Sequence, residues 1–260
     1  MMVVFSDLDG TILDPETYGW DKSRPGIELL KARGVPLVLV SSKTFYEMKE
    51  IHAEIGLGDP FVFENGGGIA YPDGKGDFRI VFPGMTTGEL SEKFQGIKGF
   101  FPGTPRTILE MGEDEIVEMT GLSRKRAGLA RMRKASLPFL TDAESGSLDL
   151  EKINGLLSGL GLSIMKGRRF YYLMTSGTDK GAAVGIIKGH YEKNAMSGGI
   201  ETAGIGDSPL DLPLLNAVDR AFLVRDKDGT VSCRGIPGKI TVTDGSGPEG
   251  FSEAVKKILS

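Results

Sequence analysis

The segment Asp7-Leu8-Asp9-Gly10-Thr11 follows the apolar run Met2-Val3-Val4-Phe5, which sets two carboxylates two residues apart at the end of a buried strand. Side chains two apart on a strand point the same way. If the extended geometry continues, Asp7 and Asp9 share one cavity, and Gly10 lets the chain turn sharply behind them. The pair suits phosphoryl transfer, because one carboxylate can attack phosphorus while its neighbour handles the leaving group's proton. Acidic residues and glycine also close strands in ordinary turns, so the reading depends on what else reaches the same edge.

Three segments do. Gly204-Ile205-Gly206-Asp207-Ser208-Pro209-Leu210-Asp211 adds two carboxylates after another strand-like run, at the sheet edge where open α/β folds bind ligands. Asp7, Asp9 and Asp207 together form an oxygen-rich set suited to Mg²⁺, which keeps several waters while bridging to a phosphate. Asp211 has a second reading, as the cap of a helix starting at Leu212-Pro213. Ser176-Gly177-Thr178-Asp179-Lys180-Gly181 runs into a helix, so Lys180 either neutralises a phosphoryl group beside the carboxylates or is simply solvated. Ser41-Ser42-Lys43 ends a strand, where a hydroxyl can donate to a phosphate oxygen, although serines are commonplace there.

The elements needed to place these groups alternate along the chain. Strands are expected at residues 2–6, 35–40, 61–63, 201–205, 221–224 and 240–242. Helices are expected at 23–33, 44–55, 180–191, after Asp211 and at 251–259. This rhythm predicts an α/β fold with a doubly wound parallel-sheet, Rossmann-like core. The glycines of Glu64-Asn65-Gly66-Gly67-Gly68 mean tight turning or close backbone approach. From about residue 83 to 170 the character changes, with helix candidates at 113–119, 123–134 and 148–160 and strand candidates at 78–82, 107–111, 162–166 and 169–175. The expected organisation is a core of residues 1–83 and 173–260 with an inserted α/β cap at 84–172.

Composition narrows the partners. The 260 residues carry a net charge of −4, so no global basic field holds nucleic acid or an anionic membrane. A small-molecule partner is expected, and no protein partner is evident. A lone cysteine, Cys233, excludes an internal disulfide, and two histidines, His52 and His190, lack zinc-site spacing. No leader-like segment or membrane-length apolar run is present, so a cytoplasmic location is expected.

Taken in chain order, Asp7-Leu8-Asp9-Gly10-Thr11, Ser41 after the second strand, Lys180 before a late helix and Gly206-Asp207-Ser208-Pro209-Leu210-Asp211 resemble the motifs of the haloacid dehalogenase superfamily of phosphatases. The resemblance implies that Asp7 is a nucleophile forming an aspartyl-phosphate and that Asp9 is the general acid, then base. It implies that Ser41 and Lys180 grip the phosphoryl oxygens, with Ser42, Gly10 and Thr11 also on the phosphate. Mg²⁺ would sit on the Asp7 carboxylate, the Asp9 backbone carbonyl and Asp207, with Asp211 holding the metal's waters.

The insertion resembles the α/β cap of the Cof-like subgroup, where Glu64-Asn65-Gly66 is also a familiar element and Asn65 is expected to bind substrate. Within that subgroup, Ser41-Ser42-Lys43-Thr44, the stretch from Ala130-Arg131 to Pro138-Phe139, and Lys166-Gly167 with Arg169-Phe170-Tyr171-Tyr172-Leu173 resemble the mannosyl-3-phosphoglycerate phosphatases. That implies Mg²⁺-dependent hydrolysis of mannosyl-3-phosphoglycerate to mannosylglycerate, a compatible solute, and phosphate. Glucosyl-3-phosphoglycerate or another sugar phosphate is the alternative substrate, and phosphomutase chemistry through the same intermediate is the alternative reaction. A glycerate carboxylate needs a cationic partner, for which Arg133, Arg169 and Lys166 are expected. The basic stretch from Arg124 to Lys134 also reads as a solvated face complementing the acidic residues from Glu113 to Glu118.

Overall fold

Strand β1 (Met2–Ser6) places Val3, Val4 and Phe5 beyond the reach of solvent on both faces, as a central parallel strand requires. A computed structural model describes residues 1–142, 148–194, 199–233 and 239–260 of the chain. β1 pairs in parallel with β2 (Leu37–Val40) on one side and β10 (Glu201–Gly206) on the other. The large sheet runs β12-β11-β10-β1-β2-β3-β4-β5, with β3 (Phe61–Phe63), β4 (Gly68–Pro72), β5 (Phe78–Val81), β11 (Arg220–Arg225) and β12 (Ile240–Ser246) completing it. The order reverses at β1, so a crevice opens beyond the ends of β1 and β10.

Helices cover both faces. Leu37 and Leu39 join a cluster with α1 (Arg24–Ala32), α2 (Phe45–Ile55) and α9 (Gly247–Leu259), whereas Val38 and Val40 face α7 (Lys180–Asn194) and α8 (Leu212–Ala217). This alternation is the two-residue period of a strand buried on both sides. A doubly wound Rossmann-like core is therefore present, but β4 and β5 return antiparallel at its edge. The turn that joins them needs positive φ at Gly74 and Gly76.

A second, antiparallel sheet of order β6-β7-β9-β8 is built from β6 (Arg106–Thr107), β7 (Leu137–Leu140), β8 (Leu162–Lys166) and β9 (Tyr171–Thr175). Helices α3 (Thr87–Ile97) and α6 (Leu150–Ser158) bury Leu90, Phe94, Ile153 and Leu157 against it. A smaller cluster gathers Ile116 of α4 (Glu113–Thr120), Ala127 of α5 (Arg124–Arg131) and Phe170.

Three elements of the inserted unit differ from the sequence expectation. The strand expected at 107–111 ends after Thr107, because Glu110 accepts hydrogen bonds from the Thr107 amide at 2.6 Å and hydroxyl at 2.9 Å and winds residues 108–110 into a 3₁₀ turn. The helix expected to reach residue 134 stops at Arg131, since Met132 adopts φ −76°, ψ 52°. Strand β7, which includes Pro138, was not expected; it is tolerated because β6 reaches only Thr107, opposite Phe139, and leaves Pro138 without a partner there.

The two units are joined by more than the chain crossings. Glu64, fully buried between β3 and β4, accepts from the Lys134 amide at 2.7 Å, the Ala135 amide at 3.0 Å and the Ser136 hydroxyl at 2.7 Å. It also pairs with Arg133 at 3.4 Å. Glu64 and Asn65 both sit at positive φ, a conformation costing each about 1–3 kcal/mol that these bonds hold in place. Glu64→Gln retains an acceptor but loses the charge opposite Arg133. Urea unfolding is expected to show a loss of about 1–3 kcal/mol; an unchanged midpoint would mean that the seam gains nothing from this carboxylate.

Candidate active site

The end of β1 delivers the first group. The Asp7 amide donates to the Ile205 carbonyl of β10 at 2.9 Å, which fixes its backbone in the crevice, and the side chain is almost wholly buried. Helix α7 begins with Lys180, whose Nζ reaches Asp7 Oδ1 at 2.5 Å and Asp211 Oδ1 at 2.6 Å. The loop after β10 supplies Asp207 and Asp211. Asp211 Oδ2 accepts from the Asp207 amide at 3.2 Å and from the Ser208 amide and hydroxyl at 3.0 and 2.8 Å. Asp211 thus does not cap α8 with its side chain, the second reading of this residue from sequence. It turns back to tie Lys180 to the Asp207 loop.

Burial makes these carboxylates costly to ionise. Desolvation, reinforced by Asp211, pushes Asp7 up to about 7 despite Lys180. Desolvation with Asp211 and Asp7 raises Asp207 well above the usual carboxylate range. Asp211 moves the other way, because Lys180 and the Ser208 bonds outweigh its own desolvation. Lys180 is likewise raised, the pull of Asp211 and Asp7 overcoming burial. One ammonium therefore serves three carboxylates, one oxygen from each lying within 4.8 Å of the others. Apart from a 3.4 Å bond from the Thr11 hydroxyl, the Asp207 carboxylate receives no hydrogen bond from the described residues. A hard divalent cation fits this donor set. Gly10, at φ +88°, permits the close approach, since a Cβ there would overlap Asp207 Oδ2.

Asp9 stands apart from that cluster. The strand ends at Ser6, and the two aspartates share a cavity because residues 8–11 turn, rather than because the strand continues. The half-exposed Asp9 carboxylate pairs with Lys43 at 2.8 Å. Ser42 and Gly10 line the cavity. Ser41 and Thr11 are buried, Ser41 Oγ accepting the Lys43 amide at 3.2 Å.

Above these groups the cavity, about 1670 Å³, extends between the two units. Arg133, Lys166 and Arg169 all line it, but they differ in their engagements. Arg133 is spent on Glu64, on the Ser136 hydroxyl at 2.8 Å and on the Ser42 carbonyl at 3.1 Å. Arg169 and its neighbour Arg168 have no hydrogen bond or ion pair among the described residues, and Lys166 has only the Tyr171 ring at 5.9 Å. Asn65 is not a wall residue. Its amide is buried without a partner among the described residues, next to the backbone bond from its own N–H to the Ser41 carbonyl at 2.9 Å. Sequence reasoning gave no role to Lys43, Glu47, Tyr18 or Arg168, which also line the cavity. Only Lys43, adjacent to Ser42, carried a positional signal.

Residues 4–97 match the model of a haloacid dehalogenase-like hydrolase family. Over 269 aligned residues, covering all of this chain and 97% of the relative, the sequence is 35% identical to a protein of Persephonella marina named glucosyl-3-phosphoglycerate/mannosyl-3-phosphoglycerate phosphatase. Among solved structures, the Thermoplasma acidophilum protein 0175 superposes with TM-score 0.71 at 20% identity, over all of this chain and 98% of its own. The sucrose-phosphatase of a Synechocystis species, solved with sucrose and phosphate, superposes with TM-score 0.65 at 16% identity, over 99% and 98% of the two chains. No helix among the described residues is long and apolar enough to cross a membrane.

Proposed function

The chain belongs to the haloacid dehalogenase-like hydrolases and is a phosphomonoesterase of that family, and on that premise we propose that it hydrolyses mannosyl-3-phosphoglycerate to mannosylglycerate and phosphate. The observation that carries the reaction is Asp7, buried at the end of β1 with Lys180 against one carboxylate oxygen and Asp207 beside it. The Asp7 carboxylate attacks phosphorus, the phosphorus–alkoxide bond breaks, and Asp9 gives its proton to the departing alkoxide oxygen, which leaves as a hydroxyl. Water then attacks the aspartyl-phosphate, Asp9 takes its proton back, and the acyl-phosphate bond breaks at phosphorus to restore Asp7. Lys180 and the Ser42 edge hold the phosphoryl oxygens, while cap residues over the cavity limit bulk water.

Asp7, Asp207 and the Asp9 carbonyl would hold Mg²⁺, with Asp211 behind them. When bound, the ion supplies the positive charge that lets an anionic nucleophile approach an anionic phosphate. Removal by chelation is expected to stop phosphate release and readdition to restore it; full activity in excess chelator would overturn the metal assignment.

The substrate class rests on the full-length relative named for both glycosyl-3-phosphoglycerates and on the three uncommitted cations of the cap loop. A glycerate carboxylate would meet Lys166, Arg168 and Arg169 across the cavity from Asp7. The glucosyl compound is the second reading, because the relative's name includes it. Phosphate release from the mannosyl and glucosyl compounds and from simple sugar phosphates tests this directly. Arg169→Ala is expected to raise KM about 10-fold for the glycerate-bearing substrates, the value of one charge-assisted hydrogen bond, and to leave simple sugar phosphates unaffected. Equal effects on both would remove Arg169 from carboxylate recognition, and a bisphosphate-dependent isomerisation without hydrolysis would favour a mutase.

A further inference from the structure

Lys43 lines the cavity, yet neither the phosphoryl-transfer roles nor the proposed substrate contacts give it a task. Its backbone is pinned from both sides: the amide donates to Ser41 Oγ at 3.2 Å, and the carbonyl accepts the Glu64 amide at 2.8 Å. The next residue, Thr44, starts α2 with a capping box that draws Glu47 alongside. From this fixed base the Lys43 ammonium, with its side chain 13% exposed, reaches Asp9 Oδ1 at 2.8 Å. The Tyr18 ring centroid lies 5.4 Å from the ammonium, and the Arg126 guanidinium of α5 sits 4.8 Å from the same ring. Tyr18 holds this place at φ +57°, a conformation that is strained for an aromatic residue. Burial disfavours the Lys43 charge, but Asp9 and Glu47 together keep it protonated.

Asp9 needs such a partner. Its carboxylate, 41% exposed against 8% for Asp7 and 0% for Asp211, lies outside the Asp7, Asp207 and Asp211 cluster, so nothing in that cluster fixes its rotamer. We propose that Lys43 is a positioning residue that aims the Asp9 carboxylate at the leaving-group oxygen, with the Tyr18 ring, gripped from the cap by Arg126, holding the lysine in place. The inference rests on the hydrolase reading above and adds to it how the proton donor is set in position.

The test uses leaving groups. An alkoxide must be protonated as it departs, whereas p-nitrophenolate departs without help, so misaiming Asp9 slows formation of the aspartyl-phosphate only for the first, while its later work as base toward water is common to both. In Lys43→Met, the single-turnover rate of leaving-group release is expected to fall about 10- to 100-fold for the glycosyl phosphoglycerate and to change at most about threefold for p-nitrophenyl phosphate. Lys43→Arg is expected to restore most of the loss. Equal loss on both substrates would make Lys43 a general support of the site, and a rise in KM alone would make it a substrate-binding group; either overturns the proposal. If the wild-type protein releases phosphate from neither compound, the hydrolase reading fails instead. A crystal structure of Lys43→Met then still decides the positioning claim: an Asp9 side chain turned from its wild-type rotamer supports it, and an unmoved one overturns it.

Discussion

Asp7→Asn is expected to lower phosphate release by about four orders of magnitude or more, the scale of removing a covalent nucleophile whose partners remain in place. The amide is nearly isosteric, and its oxygen can still accept from Lys180, so the fold should survive. What disappears is the anionic oxygen that forms the bond to phosphorus. The substitution also relieves the site of one of three crowded carboxylates, so the variant is expected to melt no lower than the wild type in the absence of metal. Phosphate release with matched melting curves checks both parts. Substantial residual turnover would exclude an aspartyl-phosphate, whereas collapse of the fold would make the kinetic result uninformative about chemistry and would require Asp7→Glu as the comparison.

Lys180→Met is expected to be the most destabilising single change at the site. The ammonium is 4% exposed and lies within hydrogen-bond distance of both Asp7 and Asp211. Removing one member of a buried ion pair leaves the others without compensation and typically costs about 3–5 kcal/mol. The three carboxylates would respond by binding protons or by recruiting a cation. Thermal melts are therefore expected to show a large loss that millimolar Mg²⁺ partly recovers, and phosphate release is expected to fall about 10²- to 10³-fold even with metal, as when one preorganised charge is taken from a transition state. An unchanged melting temperature would mean that Lys180 is not the group neutralising the cluster. Equal destabilisation with and without Mg²⁺ would count against a metal among these aspartates.

The main elements of the core were legible because their signals are local. The apolar runs of β1, β2 and β10 have no alternative to burial, and each motif stands where its run ends. The inserted unit was less so, because its elements depend on partners distant in sequence. The capping box of α3, with Thr86 and Glu89 reciprocally bonded, was a readable local signal that went unused. By contrast, nothing near Pro138 announces a strand; β7 exists because β9 pairs with it across 30 residues of chain. The end of α5 at Arg131 follows from Glu64, 70 residues before Lys134, which draws the amides of Lys134 and Ala135 out of helical geometry.

At the site the division is similar. Residue types and their order along the chain sufficed to nominate Asp7, Asp9, Lys180, Asp207 and Asp211, because carboxylates at strand ends have few other reasons to recur. Their engagements needed three dimensions. Only the folded chain shows that Asp211 ties Lys180 to the Asp207 loop, that Asp9 faces Lys43 rather than the carboxylate cluster, and that Arg133 is held by Glu64 while Arg168 and Arg169 are not. Sequence by itself determined the α/β class, the catalytic edge and the chemistry available there, since those follow from hydrophobic period and side-chain type. Tertiary structure decided which charge meets which, because ion pairing depends on distances of a few ångströms between residues that the chain separates by dozens to well over a hundred positions.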